Sequence, residues 1–406
     1  MKKLTPKQIG RLYLWLEGAG VFCGHSFHGA IYMDFLMNNL HDYFWATAVN
    51  VVFFCTLFVA EIPTGAYADT FGRKASYVLA SLLWSLGLIV YGTSESFTGF
   101  ALAECLLAIG STCVSGAFEA WLIDSLDHSG MNPAERDAYK AHLFVRENTI
   151  HTACGIAGSI VGAWVYTHSP QGCWVLSGVL MLGHALVAKY VMTEDYFVRK
   201  THTLKAHAQE MWSKTRLSIK FARTNPTIKT IALFATMQSF ACMGPNMLWQ
   251  PFFKEHVSVF WLGGLLSIWM ICGAIGAEIA NRYGDLSKEP IQTMKRSMMW
   301  SGILVVISAL CPFPFSLIFF SLSQIPRGIL NPIFRTVLHS AITDSETRAT
   351  TASCATMARY VGGALGLLLS GLSAKYASIS LTWIWSGASL VIGAWWLCSR
   401  YQKEHK

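Results

Sequence analysis

The chain contains 406 residues, 53% of them hydrophobic and only 13% charged, and its formal net charge is +8. Ordinary soluble chains carry about 25% charged residues, so this composition excludes a typical soluble domain and indicates a membrane protein. The positive charge does not indicate nucleic acid binding, because the basic residues lie between the apolar runs. The 11 cysteines are scattered singly without a C-x-x-C pair, and we interpret them as small hydrophobic residues.

Apolar runs of about 20 residues recur along the chain, and each is long enough to cross a hydrocarbon core about 30 Å thick. Inside lipid the backbone must satisfy its own hydrogen bonds, so these runs are expected to be α-helices. The first run is too long for a signal peptide and contains Glu17, so we interpret it as a retained first helix. The runs predict twelve membrane spans, at 11–34, 43–68, 75–94, 97–124, 140–167, 172–193, 227–253, 259–282, 291–312, 314–338, 350–374 and 379–399.

Basic residues indicate the orientation of the spans, since cytoplasmic connections are enriched in lysine and arginine. The connections on one side carry nearly all of them, whereas the opposite side offers only Lys254 and Lys375. Both termini are therefore predicted to be cytoplasmic. The longest connection, 194–226, separates six-span bundles at 1–193 and 227–406. It is predicted to form a basic amphipathic helix on the cytoplasmic leaflet, and a regulatory or partner-binding role stays open.

The most specific signal is the charged hairpin between spans 2 and 3. Its residues follow the pattern G-x-x-x-D-x-x-G-R-K at Gly65, Asp69, Gly72, Arg73 and Lys74. This hairpin resembles the signature loop between helices 2 and 3 of the major facilitator superfamily, and a weaker echo of it at 277–284 favours an internal duplication. The resemblance implies an all-α membrane protein with twelve transmembrane helices in two pseudo-symmetric six-helix bundles.

In the resembled family, residues of this loop latch the two bundles together in the outward-open state. The resemblance implies a conformational latch formed by Gly65, Asp69, Gly72 and Arg73, with Asp124 at the end of span 4 on the same side. The alternative is an ion pair between Asp69 and Arg73 that only braces the hairpin.

Ionisable residues inside a span are costly and usually face the protein interior, so each is a functional candidate. Span 4 carries Glu104 where proton-coupled relatives often have an arginine, so the role of that arginine is not transferred. A carboxylate in an apolar site can itself carry a proton, and the alternative is a carboxylate that is simply paired. Glu119 continues the same helical face, and we favour a structural pair with Arg146 on span 5. Span 5 lacks the glycine-proline motif that drug–proton antiporters of this superfamily usually carry. Its absence weakens the interpretation of this protein as a drug–proton antiporter.

Span 10 carries a polar stripe on an otherwise apolar helix, formed by Gln324, Arg327, Asn331 and Arg335. Arg327 falls near mid-depth, where an arginine needs an anion or a wet cavity. A substrate or coupling role is one interpretation, and a permanent internal salt bridge is the other.

The resemblance implies that helices 1, 4, 7 and 10 line a central cavity, and polar residues occur on those spans. His25 and His28 on span 1 and Gln238 on span 7 are therefore candidates for the cavity wall. A metal site that includes Cys23 is disfavoured, because no further ligand has suitable spacing. Ordinary helix packing of the histidines stays an alternative.

Taken together, the sequence predicts a secondary transporter of a small organic solute, anionic or zwitterionic, in a bacterial cytoplasmic membrane. Protons are the expected coupling ion, lipid surrounds the protein, and a monomer is expected. Neither a cofactor nor a metal is predicted, and the sequence contains no P-loop for ATP. The alternatives are an uncoupled facilitator and a membrane sensor that kept the fold. A membrane enzyme is disfavoured, because no nucleophile–base arrangement is present.

Overall fold

A computed structural model of the protein describes residues 4–197, 209, 212–213, 216, 226–282, 289–341 and 348–404. These residues form fifteen α-helices and no strand, which confirms the predicted all-α class. The helices are α1 (Pro6–Cys23), α2 (His25–Gly29), α3 (Tyr32–Leu40), α4 (Tyr43–Phe71), α5 (Arg73–Thr93), α6 (Phe97–Val114), α7 (Ala117–Asp127), α8 (Pro133–His168), α9 (Pro170–Val191), α10 (Pro226–Lys254), α11 (Val259–Arg282), α12 (Pro290–Leu310), α13 (Phe315–Ala341), α14 (Arg348–Tyr376) and α15 (Ile379–Glu404). The amphipathic helix predicted at 194–226 lies mostly outside the described residues.

Each predicted span is occupied by helix, but two spans are interrupted where the sequence predicted one continuous helix. Span 1 is divided into α1, α2 and α3, and its first break follows Gly24, whose ψ is −128°. Span 4 is divided into α6 and α7 by Gly116, whose φ of +73° is a left-handed conformation that favours glycine. The continuous helices predicted at 11–34 and 97–124 are therefore wrong in this detail.

Length and composition qualify five of the described helical segments to cross a membrane. These segments are Tyr43–Phe71, Arg73–Thr93, Phe97–Asp127, Pro170–Val191 and Val259–Arg282. Charged residues occur on helices outside this set, such as Glu17 on α1 and Arg327 on α13.

Contacts divide the chain into two compact units. Unit 1 comprises Met1–Tyr32, Val59–Met211 and Val259–Ser267, and unit 2 comprises Met33–Phe58, Trp212–Ser258 and Ile268–Lys406. The first half of α4 belongs to unit 2 because it packs against α14, where a Cβ on Gly371 would lie 2.0 Å from Thr47 Oγ1. The predicted division into bundles at 1–193 and 227–406 stays a prediction.

Unit 1 contains an aromatic stack between α1, α5 and α7, and a close backbone contact between α2 and α8. Tyr13 and Tyr77 stack on the two sides of Phe118, with ring centroids 4.6 and 4.4 Å away. Further along, α8 approaches α2 so closely that a Cβ on Gly162 would lie 1.6 Å from the carbonyl oxygen of Phe27. Small residues allow such backbone contact, and in a membrane this packing replaces the hydrophobic driving force between helices.

Candidate functional site

The signature hairpin of unit 1 joins α4 to α5 through Gly72, whose φ of +100° requires glycine. Asp69 and Arg73 form an ion pair of 2.8 Å across it, and both side chains are partly exposed. Glu194, just after α9, accepts hydrogen bonds from the backbone N–H groups of Arg73 (2.7 Å) and Lys74 (3.0 Å). A carboxylate at the N-terminus of a helix satisfies free amides and interacts favourably with the helix dipole.

Sequence reasoning missed Glu194, because nothing in the pattern connects residues separated by 121 positions. Burial raises the pKa of the Glu194 carboxyl group, and the two amide donors on α5 oppose that shift.

Of the other latch candidates, Gly65 lies inside α4 and is half-buried. Asp124 lies on α7 in the field of Arg73, but it forms no ion pair with any residue that the structure describes.

Glu104 occupies a tyrosine-lined position in unit 1. Its side chain is only 2% exposed, and its Oε1 accepts hydrogen bonds from the hydroxyl groups of Tyr32 (2.6 Å) and Tyr91 (3.0 Å). Within the described ranges no basic side chain pairs with it. The ring of Tyr91 stacks on Trp174 at 4.2 Å, and His28 stacks on the same tryptophan at 4.5 Å. A buried carboxyl group with two hydroxyl donors can be held either charged or protonated.

A second polar cluster in unit 1 surrounds a cavity of about 270 Å³. Glu17 on α1 is within 2.9 Å of His151 Nδ1 on α8. His25 is exposed to the cavity, and its ring centroid lies 5.8 Å from that of His151. His184 Nε2 on α9 lies 2.9 Å from the hydroxyl group of Tyr77. Three histidines and a glutamate therefore line one cavity, and sequence reasoning had selected neither His151 nor His184.

The expected pair between Glu119 and Arg146 is not formed in the structure. Both side chains are exposed, and the neighbouring acid Glu147 instead accepts a hydrogen bond of 2.7 Å from Tyr13. In the described part of the chain, no group of three or more His, Cys, Asp or Glu side chains is placed to hold a metal ion.

In unit 2 the polar stripe of α13 meets a polar side chain of α10. Arg327 Nη1 donates hydrogen bonds to Asn246 Oδ1 (2.9 Å) and to Gln324 Oε1 (3.1 Å), and the arginine is half-buried. Both acceptors are neutral amides, and no carboxylate among the described residues forms an ion pair with Arg327. Gln238 is half-buried about two turns before Asn246 on α10. Asn331 continues the stripe along the α13 backbone, but its side chain, like that of Arg335, lies outside the described part.

Two further ion pairs in unit 2 involve residues that sequence reasoning did not select. Lys254 donates to the buried carboxylate of Asp34, whose backbone amide donates to Gln250. Lys375 donates to Asp42 at 2.6 Å. Burial works against ionisation of Asp42, but the bond from Lys375 and two backbone amides outweigh it and keep the pKa of Asp42 below its ordinary value.

Comparison with known proteins places these features in a family. Residues 15–366 match the model of the Major Facilitator Superfamily. An uncharacterized MFS-type transporter of Bacillus subtilis (strain 168), YxaM, is 21% identical over 256 residues, and this match spans 61% of this chain and 61% of that relative.

Solved structures share the fold along almost the whole chain. The nucleoside transporter NupG superposes with a TM-score of 0.74 at 14% identity, covering 97% of this chain and 99% of its own. A POT family transporter in complex with a thioalcohol conjugated peptide gives 0.73 at 13% identity, covering 98% and 96%. A bacterial homologue of the human lysosomal transporter Spinster gives 0.72 at 15% identity, covering 96% and 96%. These identities show the fold alone, whereas the family model covers most of the chain, and the protein therefore belongs to the Major Facilitator Superfamily of membrane transporters.

Proposed function

We propose that this protein is a secondary transporter that moves a small anionic or zwitterionic organic solute by alternating access, driven by a proton gradient. Membership of a transporter family supports solute transport across a membrane and a non-enzymatic role. The solute class, the coupling ion and the conformational cycle belong to the proposal. So do a monomeric state and a bacterial cytoplasmic membrane with both termini on the cytoplasmic side.

The hydrogen bonding of Arg327 carries the proposal on the solute. Arginine stays protonated in proteins, and a half-buried guanidinium group requires compensation by an anion or by water. Its described partners, Asn246 and Gln324, supply dipoles and no negative charge. This leaves donors available for a carboxylate, which the planar guanidinium fork binds with two parallel hydrogen bonds. The observation favours a solute role over a permanent salt bridge, the alternative that the sequence left open.

The test compares Arg327→Lys with Arg327→Ala. A thermal-shift screen of carboxylic acids, amino acids and dipeptides first selects a binding compound, and its affinity is then measured for each variant. If the solute supplies the anion, both variants lose most binding, because lysine cannot reproduce the bidentate contact, and both melt like the wild type. Arg282→Ala is the matched control, since Arg282 is an exposed arginine that pairs with Glu278 at the end of α11.

The opposite result would make Arg327 structural. Removing one partner of a buried ion pair typically costs about 3–5 kcal/mol, so the alanine variant would melt much earlier and lysine would largely rescue it. Binding retained by Arg327→Lys together with a lowered melting temperature in Arg327→Ala therefore contradicts the proposed solute class.

The proposal of proton coupling is based on titratable groups inside unit 1, namely Glu104 and the pair of Glu17 with His151. Substitution of Glu104 by glutamine preserves an oxygen that can accept the bonds from Tyr32 and Tyr91, so the fold should persist. In liposomes, flux of the selected compound should respond to an imposed pH gradient, and Glu104→Gln should weaken this response. Glu119→Gln, on the exposed face of α7, is the control with little expected effect. Flux that ignores the pH gradient in the wild type would support the uncoupled facilitator, and binding without flux would support a sensor.

A further inference from the structure

The segment 193–197 follows α9 in unit 1 and lies against the signature hairpin, and we call it the strap. Its backbone is closed by a hydrogen bond of 3.0 Å from the Phe197 amide to the Glu194 carbonyl oxygen. Two elements that are distant in the sequence hold it. The start of α5 contacts Glu194, and the end of α7 contacts Thr193 and Tyr196.

At the hairpin, Glu194 replaces a cap that the local sequence cannot supply. The first amides of a helix have no carbonyl partner inside the helix, and a side chain at the N-cap usually accepts from one of them. The N-cap of α5 is Gly72, which makes no such bond because it has no side chain. The two oxygens of Glu194 instead accept from Arg73 at 2.7 Å and from Lys74 at 3.0 Å. The hairpin therefore receives its cap from the strap.

Gly72 also leaves room for the strap. A Cβ at this position would lie 2.6 Å from Glu194 Oε2 and 3.3 Å from Phe197 Cδ1. Any side chain would therefore push the strap away from the hairpin, in addition to the strain that a φ of +100° imposes on it. The signature glycine thus serves both the turn and the contact with the strap.

The two acids at the hairpin have different partners. Asp69 on α4 pairs with the guanidinium group of Arg73 at 2.8 Å. Glu194 binds the backbone amide of the same arginine and leaves its side chain to Asp69. The strap therefore fixes the backbone from which Arg73 reaches across the hairpin, and a displaced strap would change the geometry of that ion pair.

The other contacts of the strap hold the end of α7. Trp121 Nε1 donates a hydrogen bond of 2.9 Å to the carbonyl oxygen of Thr193. The ring of Tyr196 stacks on His128, with centroids 4.5 Å apart and planes 11° apart. The hydroxyl group of Tyr196 lies 3.1 Å from Ser125 Oγ. The strap thus connects the end of α7 to the start of α5.

We propose that the strap is a positioning element of the conformational latch, and that Glu194 is the residue through which it acts. Asp124 lies on α7 within the stretch that the strap contacts, so the strap joins the two parts of the predicted latch, the hairpin and Asp124. No ion pair among the described residues connects these parts directly. The inference rests on the proposed alternating-access function, because a latch acts only within a conformational cycle.

The first measurement is hydrogen exchange by mass spectrometry on the full-length protein in nanodiscs, and it needs no solute. The amides of Arg73 and Lys74 have no partner inside α5, so their protection depends on Glu194. Glu194→Ala should accelerate their exchange about 2- to 30-fold, the range that corresponds to loss of a helix N-cap. Glu194→Gln should give an intermediate rate, because its single oxygen replaces only one of the two acceptors. Asp195→Ala removes the neighbouring exposed acid and should leave this exchange unchanged.

A second variant tests whether the strap acts as one unit. Tyr196→Ala removes the ring that stacks on His128, but it removes no acceptor from the hairpin amides. If the strap is one unit, Tyr196→Ala should also accelerate exchange at Arg73 and Lys74. Wild-type exchange at these two amides, in either Tyr196→Ala or Glu194→Ala, would overturn the proposal.

Transport distinguishes a positioning role from simple stabilisation of the helix end. Flux of the compound selected by the thermal-shift screen is measured for Glu194→Ala, for Asp69→Asn and for the double variant, at equal amounts of protein. If both residues act through one latch, each single variant slows flux, and the double variant slows it by less than the product of the two effects. The control pair, Asp195→Ala with Asp69→Asn, should slow flux no more than Asp69→Asn alone.

Two results for flux would overturn the positioning role. One is wild-type flux in Glu194→Ala, and the other is a double variant whose slowing equals the product of the single effects. Either would leave Glu194 as a structural cap. A wild-type protein without flux would instead refute the proposed transport function, and hydrogen exchange at the hairpin would then decide the role of the strap by itself.

Discussion

Replacement of Gly162 by alanine should destabilise unit 1 at the contact between α8 and α2. The new Cβ would lie 1.6 Å from the carbonyl oxygen of Phe27 and 2.6 Å from its carbonyl carbon. Real Cβ atoms essentially never come within 3.0 Å of such atoms, so the two backbones must separate by more than an ångström. The obstacle is backbone rather than the end of a flexible side chain, so rotamer changes alone cannot relieve it.

The magnitude follows from two opposing effects. Overpacking of a close-packed contact typically costs about 1–3 kcal/mol, and the severity of this overlap points to the upper part of that range. Alanine recovers about 0.5–1 kcal/mol, because glycine is unfavourable inside a helix. The net loss in the free energy of unfolding should therefore be about 1–2 kcal/mol or more.

Gly183 provides the matched control on α9 of the same unit, because a Cβ there would meet nothing within 4 Å. Gly183→Ala should gain a little stability from helix propensity alone. The assay is thermal melting of purified protein in detergent, followed by size-exclusion chromatography, with both variants compared with the wild type. If Gly162→Ala melts at the wild-type temperature or above, the close approach of α8 to α2 is incorrect.

Two further predictions concern the cycle and the topology. Asp69→Asn removes the 2.8 Å ion pair with Arg73, and it should slow transport while expression and melting stay normal. A coupling loss of about 1–3 kcal/mol shifts conformational populations 5–150-fold, whereas a partly exposed pair contributes little to stability. Unchanged transport at normal expression would leave Asp69 as a hairpin brace. In a background without native cysteines, single cysteines at Asn38 and Ser169 should react with an impermeant maleimide added outside cells, and one at Ser129 should not. The reversed pattern would refute the predicted orientation.

The helical architecture was predictable because a membrane restricts the backbone so strongly. An apolar run of about 20 residues has one way to satisfy its amides in lipid, so span positions follow from composition alone. The breaks at Gly24 and Gly116 were not predictable, since isolated glycines are also tolerated inside helices. A Cβ on Gly24 would lie 2.6 Å from the carbonyl oxygen of Gly20 and 3.2 Å from the ring of Trp84, whereas a Cβ on Gly116 would meet nothing within 4 Å.

For the candidate sites as well, contacts between residues close in the sequence were predictable, whereas contacts between distant residues were not. Gln324 and Arg327 are three residues apart on α13, and helical spacing was enough to predict that they lie together. Asp69 and Arg73 are four residues apart across the hairpin at Gly72, and this short separation was enough to predict their pair. Glu104 was selected as a buried acid, but its partner Tyr32 is 72 positions away. Contacts between residues so far apart in the sequence depend on how the helices pack, and a single sequence carries no signal for them.

The balance of charge within the described helices bears on the solute more directly than any one residue. Three of the enclosed acids have local compensation: Glu17 lies beside His151, Glu104 accepts two hydroxyl bonds, and Asp34 accepts a bond from a lysine. Arg327 has only neutral amides. Because a charge withdrawn from water is costly until it is compensated, an arginine that lacks an internal acid is the place where an incoming anion gains most. An anionic solute would supply the charge that the chain itself does not, and the paired acids would then be free to exchange protons rather than to hold the solute.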